Sequence, residues 1–290
     1  MSRGRRLKSR ADYDRAVRNG FGVGSGLHFK SWLTGRDAGK RGRRSRVRGI
    51  TQGRDYVLLS DGETGFFELL DKAPNVVDIR EQFPLLPMDV VCGIAKRYGI
   101  LYPIYPDTRE PAVLSTDFLA TITDGASDSY AAFAVKDDPD LRSSRVLRNL
   151  EIERLFWTAL GVPWHLILKS SINLTIVANI TWVAKLLRAS PQTKCKVPLD
   201  SLLDTIFTPR AHQVDEICGE LSEAYSIDSD SAKRLMCRLI WSDVVQIDLR
   251  YGIEDSGLIE VIGIDRDHHL HIDGDTNAAI AQFGYRCSDV

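Results

Sequence analysis

The chain has 290 residues, 43% hydrophobic and 27% charged, which suits ordinary cores over about two domains and excludes a disordered chain. No apolar run approaches the roughly eighteen residues of a membrane span, and the charged N-terminus lacks the apolar stretch of a signal peptide, so no membrane partner is expected. Five scattered cysteines (Cys92, Cys195, Cys218, Cys237, Cys287) lack CxxC spacing, which argues against a disulfide scaffold and a zinc site and for a reducing cytoplasm.

A net charge of −1 conceals strong polarity: residues 1–50 hold 15 Lys and Arg against 3 Asp. Cationic side chains concentrated in this way suit phosphate neutralisation, so residues 1–50 read as a basic arm contacting nucleic acid. A basic helix is expected from about Asp12, followed by Gly20-Phe21-Gly22-Val23-Gly24-Ser25-Gly26. Alternating glycines either bring backbone amides close to a phosphate or form a hinge; no strand precedes them, so this is not the dinucleotide fingerprint. Trp32 either stacks on a partner or packs. A second basic cluster occupies 40–48.

From Ser60 the character changes. SDGETGFFELLDK places a capping Ser or Asp before Glu63 and an apolar run, which predicts a helix with Glu63 in its first turn. A strand over 76–83 and a helix around 89–98 follow. Two runs, 112–123 and 130–136, are rich in β-branched, aromatic and small residues and flank the turn formers DGASDS, so they predict a β-hairpin. Asp117 interrupts the first run and Lys136 ends the second. Buried charge is costly without a partner, so this pair is either a structural ion pair or a working site. Helical spacing covers 145–160, where Glu153 reads as a solvated helix charge in preference to a further acidic contributor to the site, and 162–169 reads as a buried strand.

Past residue 170 the pattern is mainly helical. An amphipathic helix is expected over 173–189, then a polar linker, helices at 209–225 and 229–241, and two strands within 244–249 and 257–265. Helix, turn, helix, strand, loop, strand is a winged-helix order, suited to DNA or protein. The absence of a basic cluster here gives protein docking at least equal weight. His268, His269 and His271, near Asp265, Asp267 and Asp273, read as a solvated strand edge in preference to a metal site.

DIREQFPLLP (78–87), STDF (115–118), AVK ending at Lys136 and LEIERLFW (150–157) occur in that order. With Trp32-Leu33-Thr34 and Leu58-Leu59-Ser60-Asp61 upstream, the sequence resembles the TnsA family over roughly 12–170. These are the endonuclease subunits of heteromeric, Tn-seven-like bacterial transposases. The element order and the resemblance together imply an α/β restriction-endonuclease-like catalytic domain at 51–170, a mixed sheet flanked by helices, while the order past residue 170 gives a mainly α winged-helix-like domain at 171–290. The resemblance further implies hydrolysis of the 5′ strand at transposon-end DNA beside a TnsB-like transposase, under a TnsC-like AAA+ regulator that docks on the C-terminal half. The family's site set falls on Glu63, Asp117 and Lys136, with Ala134 where relatives carry Gln and the common nuclease motif an acid. Mg²⁺, with Mn²⁺ as a substitute, would take oxygens of Glu63, Asp117 and the Val135 carbonyl, an oxygen shell such ions prefer. Lys136 would then orient or deprotonate the attacking water, its pKa lowered by burial, or would stabilise charge on the phosphate. A stand-alone restriction or junction-resolving nuclease and a catalytically inactive DNA-binding adaptor remain the alternatives.

Overall fold

The computed structural model describes residues 5, 7–34, 43–189 and 201–265. Helix α1 (Arg10–Arg18) starts at Ser9, whose hydroxyl accepts from the Asp12 amide. Its inner face, Tyr13 and Ala16, closes on Leu7 and Trp32, and Tyr13 donates to the Pro111 carbonyl at 2.6 Å. Lys8 and Arg10 pair with Asp107 and Asp89. This stretch of basic sequence is thus folded against the chain, with part of its charge already matched. Next, β1 (Ser45–Arg48) and β2 (Asp55–Leu58) form an antiparallel pair that the charge pattern hides, with Arg46 and Arg48 on its exposed face.

Four strands make the central sheet: β3 (Val76–Pro84), β4 (Ser115–Thr123), β5 (Asp128–Lys136) and β6 (Trp164–Leu168), in spatial order β3-β4-β5-β6. The first two pairings are antiparallel and β5–β6 is parallel, so the sheet is mixed. Alternation along the strands sends successive side chains to opposite faces. Phe118, Ala120, Phe133 and Val135 meet Phe66 and Phe67 of α2 (Asp61–Lys72) and Ile176 and Ile180 of α5 (Leu174–Ala189). Leu119 and Ala132 meet Val91 of α3 (Met88–Arg97) and Ile152, Phe156 and Trp157 of α4 (Ser144–Ala159). Helices therefore flank both faces. Strand β6 was expected to be buried, but only Ile167 is; as an edge strand it has one neighbour.

Beyond residue 200 lie α6 (Leu202–Ile206), β7 (Ala211–Gln213), α7 (Val214–Tyr225), α8 (Ser229–Trp241), β8 (Val245–Ile247), α9 (Ile253–Ser256) and β9 (Leu258–Ile264). The strands form an antiparallel sheet in the order β7-β9-β8. Residues 209–213 were expected to open a helix; the chain instead bends at 209–210 and runs as a strand over 211–213, because Ala211 to Gln213 pair with Glu260 to Leu258. The histidine cluster at 268–271 lies outside the described residues. Among those described, no helix is long and apolar enough to cross a membrane.

Helix α5 serves two cores: Ile176 and Ile180 belong to the sheet core, Val183 to the C-terminal one. Between them Asn179 is 1% exposed, donating to Leu249 O at 2.8 Å and Tyr251 O at 2.7 Å and accepting from Ile253 N at 2.9 Å. Asn179→Ala strands three backbone groups, one of them the amide of buried Ile253, and is expected to cost about 1–3 kcal/mol of stability. Denaturant unfolding measures it, and a change too small to resolve would show that water replaces the amide.

Candidate active site

The site begins at the start of α2. Ser60 and Glu63 have the Ser-x-x-Glu spacing of a capping box. The Ser60 hydroxyl accepts from the Glu63 amide at 3.1 Å, and the Glu63 carboxylate reaches back to Leu59 N at 3.0 Å and the Ser60 hydroxyl at 3.1 Å. Gly62 lets this first turn approach β5: a Cβ there would lie 3.2 Å from Val135 Cγ1. Burial first, and the charge of Asp117 second, push the Glu63 carboxyl up to about 7.

Asp117 lies on β4, buried, and its Oδ2 accepts from Val135 N at 2.8 Å and from the Lys136 ammonium at 2.5 Å. The same ammonium donates to Val135 O at 2.8 Å. The structure thus brings Asp117, Val135 and Lys136 into direct contact, with Glu63 near enough to feel Asp117's charge. Lys136 departs from expectation in its acidity. Burial pulls its pKa down, but Asp117, Glu153 and Glu63 outweigh it and hold the group above its usual value. In this state Lys136 is an ammonium and not a base.

Ala134 is fully buried. Phe118 pairs with Phe133, so Ala134 continues the ladder opposite Asp117 and shares the α4 side of β5 with Lys136. Above that face sits Glu153, and here the expectation of a solvated helix charge is wrong. Glu153 is 6% exposed, accepting from the Thr116 hydroxyl at 2.9 Å and from the Trp164 indole at 3.0 Å. Burial, then the Asp117 charge, lift its carboxyl to about 7. Helical spacing alone does not say which side of α4 meets the sheet.

Gln82 was not singled out as a site residue. It is 3% exposed, and its amide donates to Glu63 Oε2 at 3.2 Å. Its sequence signal is membership of DIREQFPLLP, a stretch that also holds Glu81, paired with the buried Arg54 at 2.5 Å. The glycine loop packs on the end of β3: a Cβ at Gly22 would lie 2.3 Å from Pro84 Cγ, and Gly22 has φ +71. Trp32, 1% exposed, packs beside Tyr13 instead of stacking on a partner.

The donors facing one another here are oxygens, which suits a hard divalent cation. Two of them, Asp117 Oδ2 and Val135 O, already hold the positive charge of Lys136. Among the described residues no three His, Cys, Asp or Glu side chains group as a metal cage by themselves.

Residues 73–169 match the model of a family described as TnsA-like endonuclease N terminal. Over 214 residues the chain is 32% identical to the Transposon Tn7 transposition protein TnsA of Escherichia coli, covering 74% of this chain and 77% of that protein. The chain belongs to the TnsA family. The TnsA-like N-terminal match runs from before β3 to just past β6, and so includes Gln82, Asp117, Val135, Lys136 and Glu153 but begins after Glu63.

Proposed function

We propose that this TnsA-family chain is the Mg²⁺-dependent DNA endonuclease subunit of a Tn7-like transposase, hydrolysing the 5′ strand at transposon ends. The observation that carries the reading is the meeting of Asp117, Val135 O and the Lys136 ammonium beside Glu63 at the start of α2. Bound there, Mg²⁺, or Mn²⁺ in its place, would supply a Lewis acid that polarises the phosphate and lowers the pKa of the water it binds. Glu63, Asp117 and the Val135 carbonyl would hold it. Asp117 takes the Val135 amide and so fixes its carboxylate to the backbone of β5. Lys136, charged, is suited to orient the attacking water and to offset charge on the phosphate. The sheet with its helices on both faces supports a restriction-endonuclease-like core.

The test is nicking of end-containing DNA with Mg²⁺, with and without a TnsB-like transposase. Cutting that needs the partner supports a subunit; cutting without it favours a stand-alone nuclease; no cutting in either favours an inactive adaptor.

For the C-terminal unit we read β7, α7, α8, β8 and β9 as winged-helix-like and as a protein-docking element. Residues 201–265 carry thirteen Asp and Glu against five Lys and Arg, which fits a TnsC-like AAA+ regulator better than a phosphate backbone. DNA contact falls instead to the basic arm. Arg43→Gln, Arg46→Gln and Arg48→Gln together are expected to flatten the salt dependence of DNA affinity, by about 0.9 in slope for each phosphate no longer neutralised. An unchanged slope would remove β1 from the interface.

A further inference from the structure

We propose that Gln82 is the positioning residue of this site, turned out of regular strand geometry so that its side-chain amide ties Glu63 to the strand facing Asp117. The proposal rests on the metal-site reading above. Gln82 has φ +49, a left-handed conformation that costs energy for a residue with a Cβ and is disfavoured inside a strand. The other described non-glycine residues with positive φ are Arg109, Ser226 and Asp243, none of them in a strand. The departure is local. Glu81 still pairs with Phe118 and Phe83 with Thr116, which sets Gln82 across from Asp117.

Both ends of the amide are used. Nε2 donates to Glu63 Oε2 at 3.2 Å, and Oε1 accepts from the Ser115 hydroxyl at 3.3 Å, two residues before Asp117. The Gln82 carbonyl also accepts from Trp32 N at 3.3 Å, which pins its backbone from the far side. Leu59 N and the Ser60 hydroxyl, which also bind Glu63, belong to the start of its own helix. Those two contacts alone describe a helix cap. The Gln82 amide is what joins that carboxylate to the sheet, and strain kept at such a position is a cost that a purely structural strand residue would not need to carry.

The test uses the full-length protein and reads Mn²⁺ binding by electron paramagnetic resonance of the free ion, beside thermal melts. Glu63→Ala and Asp117→Asn define loss of the site. Gln82→Met keeps length and bulk but cannot hydrogen-bond. Gln82→Gly adopts positive φ without strain and carries the test if Gln82→Met does not fold. Both Gln82 variants are expected to weaken Mn²⁺ binding by about 10–100-fold in folded protein, the usual effect of removing a group that orients a ligand. Gln82→Gly is expected to lose binding even though its backbone is relaxed. Wild-type binding by a folded Gln82 variant, with Glu63→Ala impaired, would overturn the proposal and leave the metal site standing. Unchanged binding in Glu63→Ala and Asp117→Asn would instead remove the metal site, and this proposal with it.

Discussion

Asp117→Asn and Lys136→Met are each expected to end DNA nicking while leaving a folded protein that still binds DNA. Asparagine keeps an oxygen for the Val135 amide but loses the charge that holds the Lys136 ammonium at 2.5 Å. Methionine keeps the Lys136 stem and removes the ammonium. A residue that handles a proton or a developing charge in hydrolysis contributes about 10²–10⁴-fold in rate, so either loss falls outside experimental scatter. The structural cost is smaller. The Lys136 and Asp117 side chains are 25% and 12% exposed, so water screens part of what is uncovered, and about 1–3 kcal/mol is expected from the broken hydrogen bonds. Most single domains tolerate that. Nicking of end-containing DNA, circular dichroism and DNA binding are measured on the same preparations. Wild-type cutting by either variant would show that the chemistry lies elsewhere.

Glu153→Gln is expected to flatten the pH dependence of folding stability. Glu153's carboxyl is pushed from its ordinary 4.5 to about 7. The folded state therefore favours the protonated acid and binds more protons than the unfolded state between those values. Its stability is fully present below about 4.5 and is lost as pH rises through about 7, for a difference of about 3 kcal/mol. Glutamine resembles the protonated acid and keeps an oxygen for the Thr116 hydroxyl and the Trp164 indole. The variant should melt close to wild type in mild acid and above it at neutral and higher pH. Glu63 is shifted in the same direction and retains its own slope, so the quantity that decides is the difference between the two proteins. Parallel melting curves across that range would mean that Glu153 is not a buried acid in solution.

Short-range signals in the sequence carried the elements that hold the site. Ser60 three residues before Glu63 marks the start of α2, and the structure caps it with that serine. Runs of β-branched, aromatic and small residues around DGASDS mark β4 and β5. Each of these depends on neighbours within a turn or a strand, so the chain states it locally. The family resemblance, carried by stretches such as DIREQFPLLP, reached further, to the residues that meet. Other features depend on partners distant in sequence. Glu153 is an acid in water until Thr116 and Trp164 close over it, and Trp32 is an aromatic among cations until Tyr13 packs against it. Lys136 has an elevated pKa only because three carboxylates from α2, β4 and α4 surround it. Nothing in a glutamine announces a left-handed backbone; that conformation at Gln82 exists because Glu63, Ser115 and Trp32 arrive from three other segments to hold it. Burial, charge and strain are properties of assembled surroundings, and those only the tertiary structure decided.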